Sequence, residues 1–434
     1  MLRRLIRFTL CYHFIININC FSNLRHGEYQ QLFNEEYTAK VENDYNTRSH
    51  VFKEGIQELS SRTDLLKRDR IYREYVHEVV FAIRQRNMDE LTRLLHDVSN
   101  PMSSNYGQHW TREEVTNFTS NPDAHEAVVS YLLSNGVSHL SETLGGEYIK
   151  ANAPIAVWEK MFNTEFFTFH QTHQNNRVQE VVRAVKYWIP RELDRYIDCV
   201  FYTIEMPIVR RNSLQQNNLP PKSELKSKID STAWIENDFM TSDKIKKYYN
   251  ITDDITDSNV ATHAIYANDD GDFSQSDINQ FQLDNELQFQ NIAEIDYDKK
   301  NINANISNDD IGTNLNLQFM VDISSSSTPI YSFIPNNDFV LWLIKITNTS
   351  NSLPLVLNVD WSYDENTCSN GFKSILSIQT KKLSLMGITI LATSGLNGAN
   401  GGNMKCGYNP DFLSGCPYIT SLGSTMVRLY IIET

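Results

Sequence analysis

The sequence predicts two domains of different class: an α+β domain over residues 72–207 and an α/β domain with a parallel sheet over residues 236–434. Three observations carry the prediction. In the first stretch helical and alternating periods are mixed and the connections are short, as in a compact α+β unit. In the second, strands alternate regularly with helices, the rhythm of βαβ units whose helices cover both faces of a parallel sheet. Between them, residues 208–235 are poor in apolar side chains and hold Pro220-Pro221 and a lysine cluster, which suits a solvated linker.

The elements of the first domain follow in order. "FAIRQRNMDELTRLLHDVSNP" begins as a strand and becomes a helix with Met88, Leu91, Leu94, Leu95 and Val98 on one face. Asn87 is the expected cap, and Pro101 lies beyond the end. "TREEV" is a capping box, with Thr111 as cap and Glu114 reaching back. "NPDAHEAVVSYLLSNG" supplies Asn121 as cap, Pro122 at the first helical position and Gly136 as the stop. "APIAVWEKMFNTEFFTF" gives a further helix and then an alternating strand. Trp158 and Phe162, one turn apart, suit a core better than a ligand platform.

In the second domain "ATHAIYAND" reads as a strand and "SDINQFQLDNEL" as a helix capped by Ser276. "GTNLNLQFMVDI" is a helix, "TPIYSFIP" a strand, "NDFVLWLIKIT" a helix and "LPLVLNVDWSY" a strand. "FKSILSIQTKKLSLMG" is a helix stopped by Gly387, and "ITILATSG" a strand. Asn301, Asn303, Asn305, Asn308, Asn314 and Asn316 give residues 301–316 the bias of a surface insertion. "GLNGANGG" is a flexible turn and not a phosphate loop, because no Gly-Lys-Ser/Thr follows.

Residues 1–22 join a basic start (Arg3, Arg4, Arg7) to a short apolar run broken by His13, Asn17 and Asn19. That pattern suits a secretory signal peptide better than a spanning helix, and residues 23–71 read as a polar leader. The formal charge of 39 − 53 = −14 argues against a nucleic-acid partner, which needs a basic footprint. No other stretch is apolar enough to span a membrane. Six cysteines include no Cys-x-x-Cys pair, so a zinc site is not expected; in a secretory compartment Cys406 and Cys416 are candidates for a local disulfide, although the pairing is not fixed by sequence. Sequons occur at Asn117, Asn250, Asn305 and Asn348, with chance matches the alternative in so Asn-rich a chain. Arg210-Arg211 would be an accessible processing site, or part of a plain tether.

At this point a family resemblance emerges. "NPMSSNYGQHWT", Asn100 to Thr111, resembles the Asp/Asn-Pro-x-Ser-x-x-Tyr-Gly-x-His/Tyr-x-Thr motif of the activation prodomain of sedolisin serine-carboxyl peptidases, in particular of the tripeptidyl peptidase I type. "APIAVWEKMFNTEF" and "IPRELDRYIDCV" resemble later prodomain segments. In the second domain "TSDKIKKYYNIT", "SDINQFQ", "TSGLNGANGGN" and "CPYITSLGSTM" resemble, in order, segments of the family's catalytic domain. The resemblance implies a partial subtilisin-like fold for residues 236–434, an acid serine-type peptidase activity that releases tripeptides from N-termini, and a secreted or lysosomal, acidic location.

The family's chemistry uses a Glu base for a nucleophilic serine, an Asp four residues on to orient that Glu, and a second Asp at the oxyanion. Carboxyl groups keep such a site working in acid, where a His base would be protonated. The pattern Ile-Glu-x-x-Leu-Asp-x-Gln-Tyr falls on "IGTNLNLQF", so the base position is Gly312 and the orienting position Asn316. The oxyanion position falls on Tyr363 by strict count and on Asp364 with a one-residue shift. The Asp of the family's Ser-Gly-Asp loop is replaced by Leu396, and no Gly-Thr-Ser-x-Ser motif occurs up to Thr434. The family's calcium site would lie beyond the last residue, so no cofactor is expected of these residues. Ser394, Ser424, His109 and His263 have no assignable catalytic partner and suit structural or surface roles.

Three functional readings follow. The chain is a catalytically dead sedolisin-like protein whose intact prodomain binds an active relative as inhibitor or folding partner, the expected partners being peptides or an active sedolisin-like peptidase. It is alternatively a fragment of an active peptidase, which would explain the missing serine but not Gly312 and Asn316, or a decayed remnant without function.

Overall fold

The computed structural model describes residues 49–56, 59, 64–172, 178–206, 242–251, 262–267, 273–295, 311–323, 329–333, 342, 354–359, 365, 368–395 and 412–423. Residues 52–434 form one compact unit. The N-terminal half runs β1 (His50–Gly55), β2 (Leu65–Arg70), β3 (Val76–Ile83), α1 (Met88–Ser99), α2 (Arg112–Thr119), α3 (Pro122–Ser134), β4 (His139–Glu142), β5 (Tyr148–Pro154), α4 (Ile155–Met161), β6 (Phe166–Thr172), β7 (Val178–Ala184), β8 (Lys186–Pro190) and β9 (Ile197–Phe201). The C-terminal half runs α5 (Ser242–Tyr249), β10 (His263–Ala267), α6 (Gln275–Asp284), β11 (Ala293–Ile295), α7 (Ile311–Ile323), β12 (Pro329–Phe333), β13 (Val356–Val359), α8 (Asn370–Leu385), β14 (Thr389–Thr393), α9 (Phe412–Gly415) and β15 (Thr420–Leu422).

The N-terminal half is α+β, as expected. Its main sheet has the order β4-β5-β3-β9, with β2-β6-β7 as a second sheet and β1 paired with β8. Both larger sheets are antiparallel. β1 and β2 fall inside the stretch read as a polar leader. In β2, "LLKRDR", five of six side chains are exposed, so no alternating apolar signal betrayed the strand. The C-terminal half holds the expected parallel sheet, in the order β11-β12-β10-β13-β14-β15. The helix expected over "NDFVLWLIKIT" lies outside the described residues except for Trp342, which is buried against Tyr266. The linker expected over residues 208–235 also lies outside them.

Local chemistry sets the helix ends. Thr111 and Glu114 form the expected capping box on α2, and the Asn121 side chain accepts from Ala124 N on α3. Gly136 and Gly387 adopt left-handed backbone (φ 80° and 83°) where α3 and α8 stop. Two expected caps differ. Asn87 is itself left-handed, and its side chain donates to Phe118 O instead of capping α1. On α6 the cap is Ser274, which accepts from Asp277 N, and Ser276 hydrogen-bonds to the Ser274 hydroxyl.

The sheet β4-β5-β3-β9 has two buried faces. Val79, Phe81 and Ile83 of β3 point into the N-terminal core with Trp158 and Phe162, whose rings stack 5.6 Å apart. Val80 and Ala82, alternating with them, point the other way with Tyr148, Cys199 and Phe201, and meet α8. On its far side α8 meets Leu357, Val359, Ile390 and Ala392 of the parallel sheet. So α8 is buried nearly all round, with Phe372, Ile375, Leu376, Ile378, Leu383 and Leu385 all in the interior.

Polar groups on α8 find partners in the N-terminal half. Lys382 Nζ forms a buried ion pair with Glu147 and donates to Gln85 Oε1 at 3.2 Å. Gln379 Nε2 donates to Glu147 Oε2 (3.1 Å) and to Tyr148 Oη (2.9 Å). At the C-terminal end, Trp110 N donates to Leu385 O at 3.1 Å. Leu385 packs there with Leu91, Leu95, Val98 and Val115.

This packing predicts an inverted glycine effect. A Cβ on Gly371 would collide with Glu54 Oε1 and Cys199 Cβ. Alanine normally stabilises a helix by about 0.5–1 kcal/mol over glycine, but Gly371→Ala is expected to destabilise the protein by about 1–3 kcal/mol in denaturant unfolding. A gain in stability would contradict the close approach. For the buried pair, Glu147→Leu alone is expected to cost about 3–5 kcal/mol, and Glu147→Leu with Lys382→Met much less; equal losses in the single and double variants would show that the charges are not coupled.

Candidate active-site helix

α7 carries the two positions at which the resemblance places the base and its orienting group. It is anchored by Leu317 and Val321, one turn apart, which pack against Ile265, Phe273, Ile278 and Ile292. Met320 is half-buried against the same cluster. Leu315, on the same helix, is 41% exposed. Thr313 and Asn314 are buried. Asn314 Oδ1 accepts from Ser274 N at 3.2 Å, and its Nδ2 donates to Asp277 Oδ2 at 3.3 Å, so it ties α7 to the start of α6. At the other end Asp322 pairs with Lys246 Nζ of α5 at 2.8 Å.

Gly312 and Asn316 are both on α7 and, four residues apart, share one face. The face carries a glycine and a half-buried amide at these two positions. The helix does have a carboxylate, but Asp322 is buried and committed to Lys246. A neutral amide cannot take a proton from a serine hydroxyl near its working pH, and glycine offers no side chain at all.

The other candidates fall as follows. Tyr363, Asp364, Leu396, Ser424, Arg210, Arg211, Asn305 and Asn348 lie outside the described residues. Ser394 follows β14, half-buried, and its amide donates to Leu422 O, which continues the pairing of β14 with β15. His109 is exposed. His263 begins β10, where burial lowers its pKa. Asn117 on α2 and Asn250 just after α5 are exposed. Cys416 is a free, buried thiol 3.7 Å from Thr380 Oγ1, so the Cys406–Cys416 disulfide is not formed; Cys406 itself lies outside the described residues. Among the described residues, no three His, Cys, Asp or Glu side chains are grouped to hold a metal ion, and no helix is long and apolar enough to cross a membrane. Sequence reasoning passed over Asn314 as part of the Asn bias, and nothing local in the sequence marks its role as a tie between two helices.

Residues 64–206 match the family model described as the pro-kumamolisin activation domain. The chain is a sedolisin relative. It is 23% identical over 381 residues to a probable tripeptidyl-peptidase SED4 of Arthroderma benhamiae, covering 79% of this chain and 61% of that protein. It is 25% identical over 385 residues to tripeptidyl-peptidase 1 of Dictyostelium discoideum (81% and 62% covered) and 24% identical over 365 residues to human tripeptidyl-peptidase 1 (80% and 61%). The chain thus spans less than two thirds of the length of these relatives. A Pseudomonas sedolisin complexed with two molecules of pseudo-iodotyrostatin superposes with a TM-score of 0.31 at 20% identity, over 38% of this chain and 48% of that one.

The anchoring of α7 can be tested apart from any activity. Asp322→Ala would leave Lys246, 16% exposed at its side chain, without its carboxylate. The expected loss is about 2–3 kcal/mol in denaturant unfolding, and an unchanged midpoint would count against the pair as an anchor.

Proposed function

We propose that this sedolisin relative has lost peptide hydrolysis and acts as a binding protein for peptides, on a partial subtilisin-like domain. The single observation behind the proposal is α7, which keeps its packing residues Leu317 and Val321 while carrying Gly312 and Asn316, the residues on which the family motif puts its two carboxylates. The proposal rests on those two positions and not on where the chain stops. Were a serine supplied by a longer protein containing this segment, Gly312 would still leave it without a base. In related triads, loss of one member costs about 10⁴- to 10⁶-fold in rate. Asp364 as oxyanion group, processing at Arg210-Arg211 and glycans on Asn117, Asn250, Asn305 and Asn348 belong to the same reading, as does a secreted or acidic-vesicle location.

In the second reading, the activation half inhibits or helps fold an active sedolisin-like peptidase. It has the support of a recognisable activation domain. Against it, the face formed by Val80, Ala82, Tyr148, Cys199 and Phe201 is covered by the chain's own α8, so such a partner would have to displace that helix.

The test is tripeptide release from a free N-terminus across about pH 3.5 to 6, where a carboxylate base works. The expected result is no turnover above the uncatalysed rate, together with saturable binding of the same peptides. Turnover that a serine-directed inhibitor abolishes would overturn the proposal.

A further inference from the structure

Two half-buried glutamates of the activation half bring their carboxyl groups together at the N-terminus of α8. Glu54 of β1 accepts from the Gly371 amide, with the Ser369 hydroxyl beside it. Glu205, just after β9, lies beside it, with Ser369 Oγ 3.4 Å from its Oε1. Glu54 Oε2 is buried with no hydrogen-bond partner. The approach of α8 is close enough that Gly371 has no space for a Cβ.

The groups facing this spot do not neutralise two negative charges. Lys53 is next to Glu54 in sequence, but its ammonium is held by Asp194 Oδ1 (3.2 Å) and Ile197 O (2.8 Å). Arg183 of β7 faces Glu205 and offsets part of its charge, and it also donates to that residue's backbone carbonyl. Asp198 of β9 adds a further negative charge nearby and is paired with Arg84. Tyr187 of β8 and Cys199 of β9, both buried and held neutral by that burial, complete the surroundings. From α8 come the Gly371 amide and the Ser369 hydroxyl. A neutral acid is far cheaper in such a place than a carboxylate with one oxygen unpartnered.

We propose that the contact between the activation half and α8 is latched by a proton on Glu54, so that docking takes up a proton and acid tightens the contact. The inference is independent of whether the chain cleaves or binds peptides. Burial, and Glu205 beside it, push the Glu54 carboxyl from 4.5 up to about 8, and burial raises Glu205 as well. A carboxyl raised by folding contributes its stabilisation in full below its unfolded value. It loses that contribution as pH rises through its folded value. The latch is therefore full in acid and weakens from mild acid toward about pH 8.

The test follows hydrogen exchange of α8 amides in the full chain, between about pH 5 and 8, for the wild type and Glu54→Gln, after correction for intrinsic exchange rates. In the wild type the opening constant of α8 is expected to rise with pH, by up to about tenfold per pH unit for each proton released. Glu54→Gln, neutral throughout, should remove one proton from that dependence and leave α8 better protected than wild type at the alkaline end. Wild-type protection that is flat or grows with pH would overturn the latch, as would an unchanged pH dependence in Glu54→Gln. Should that variant fail to fold, the carboxyl infrared bands of the wild type decide. A protonated buried carboxyl persisting at about pH 6.5 supports the proposal, and fully ionised carboxylates at that pH overturn it.

Discussion

α8 has to bury apolar side chains on opposite faces at once, and both of its neighbours depend on that burial. One face closes the parallel sheet through Leu357, Val359, Ile390 and Ala392; the other closes the activation sheet through Val80, Ala82, Tyr148 and Phe201. Each fully buried Leu, Ile or Phe contributes about 1.5–3 kcal/mol, so Phe372, Ile375, Leu376, Ile378, Leu383 and Leu385 together are comparable with the whole net stability of an ordinary domain. A helix in that position favours partners for its polar groups, although Gln379 Oε1 is buried without one. This is why Lys382 and Gln379 find Glu147, Gln85 and Tyr148 across the contact, and why Gly371 stands where the backbone comes closest to Glu54.

The motif "NPMSSNYGQHWT" gains a physical meaning in the same contact. Asp97, at the end of α1, accepts from Ser103 Oγ (2.5 Å) and Asn105 Nδ2 (2.7 Å), which folds the loop back on its helix. Gly107 takes a left-handed conformation and returns its amide to Val98 O. The chain then delivers Trp110, whose amide donates to Leu385 O and whose ring packs edge-on against Phe118. The segment is therefore an end-cap for α8, contributed by the other half of the molecule.

How much was legible in the sequence follows from where each signal resides. Local chemistry read well: the Thr111–Glu114 box, the Asn121 cap, the Gly136 and Gly387 stops and, among the described residues, the strands and helices expected after residue 262 appear in the fold. β2 was hidden because its exposed charged residues carry no apolar period. The Asn87 cap failed because its side chain is claimed by Phe118 O, from a residue thirty-one positions away. The coupling of the halves through Glu54, Glu205 and Glu147 was illegible for the same reason, since those carboxyls acquire their meaning from α8. At the candidate site, Gly312 and Asn316 could be named from the motif, whereas the tie that Asn314 makes to α6 required the two helices to be set side by side.

On this account the activation half is part of the core that the C-terminal half shares. Helix α7 keeps its anchoring contacts through Leu317, Asn314 and Asp322. The sharpest test of the shared core is native-state hydrogen exchange of the full chain in increasing denaturant, following amides of β3, β5, β9 and α8 together. A shared core predicts that these amides converge on one opening free energy and one denaturant dependence. A separate opening of α8 at low denaturant, with β3, β5 and β9 still protected, would contradict it.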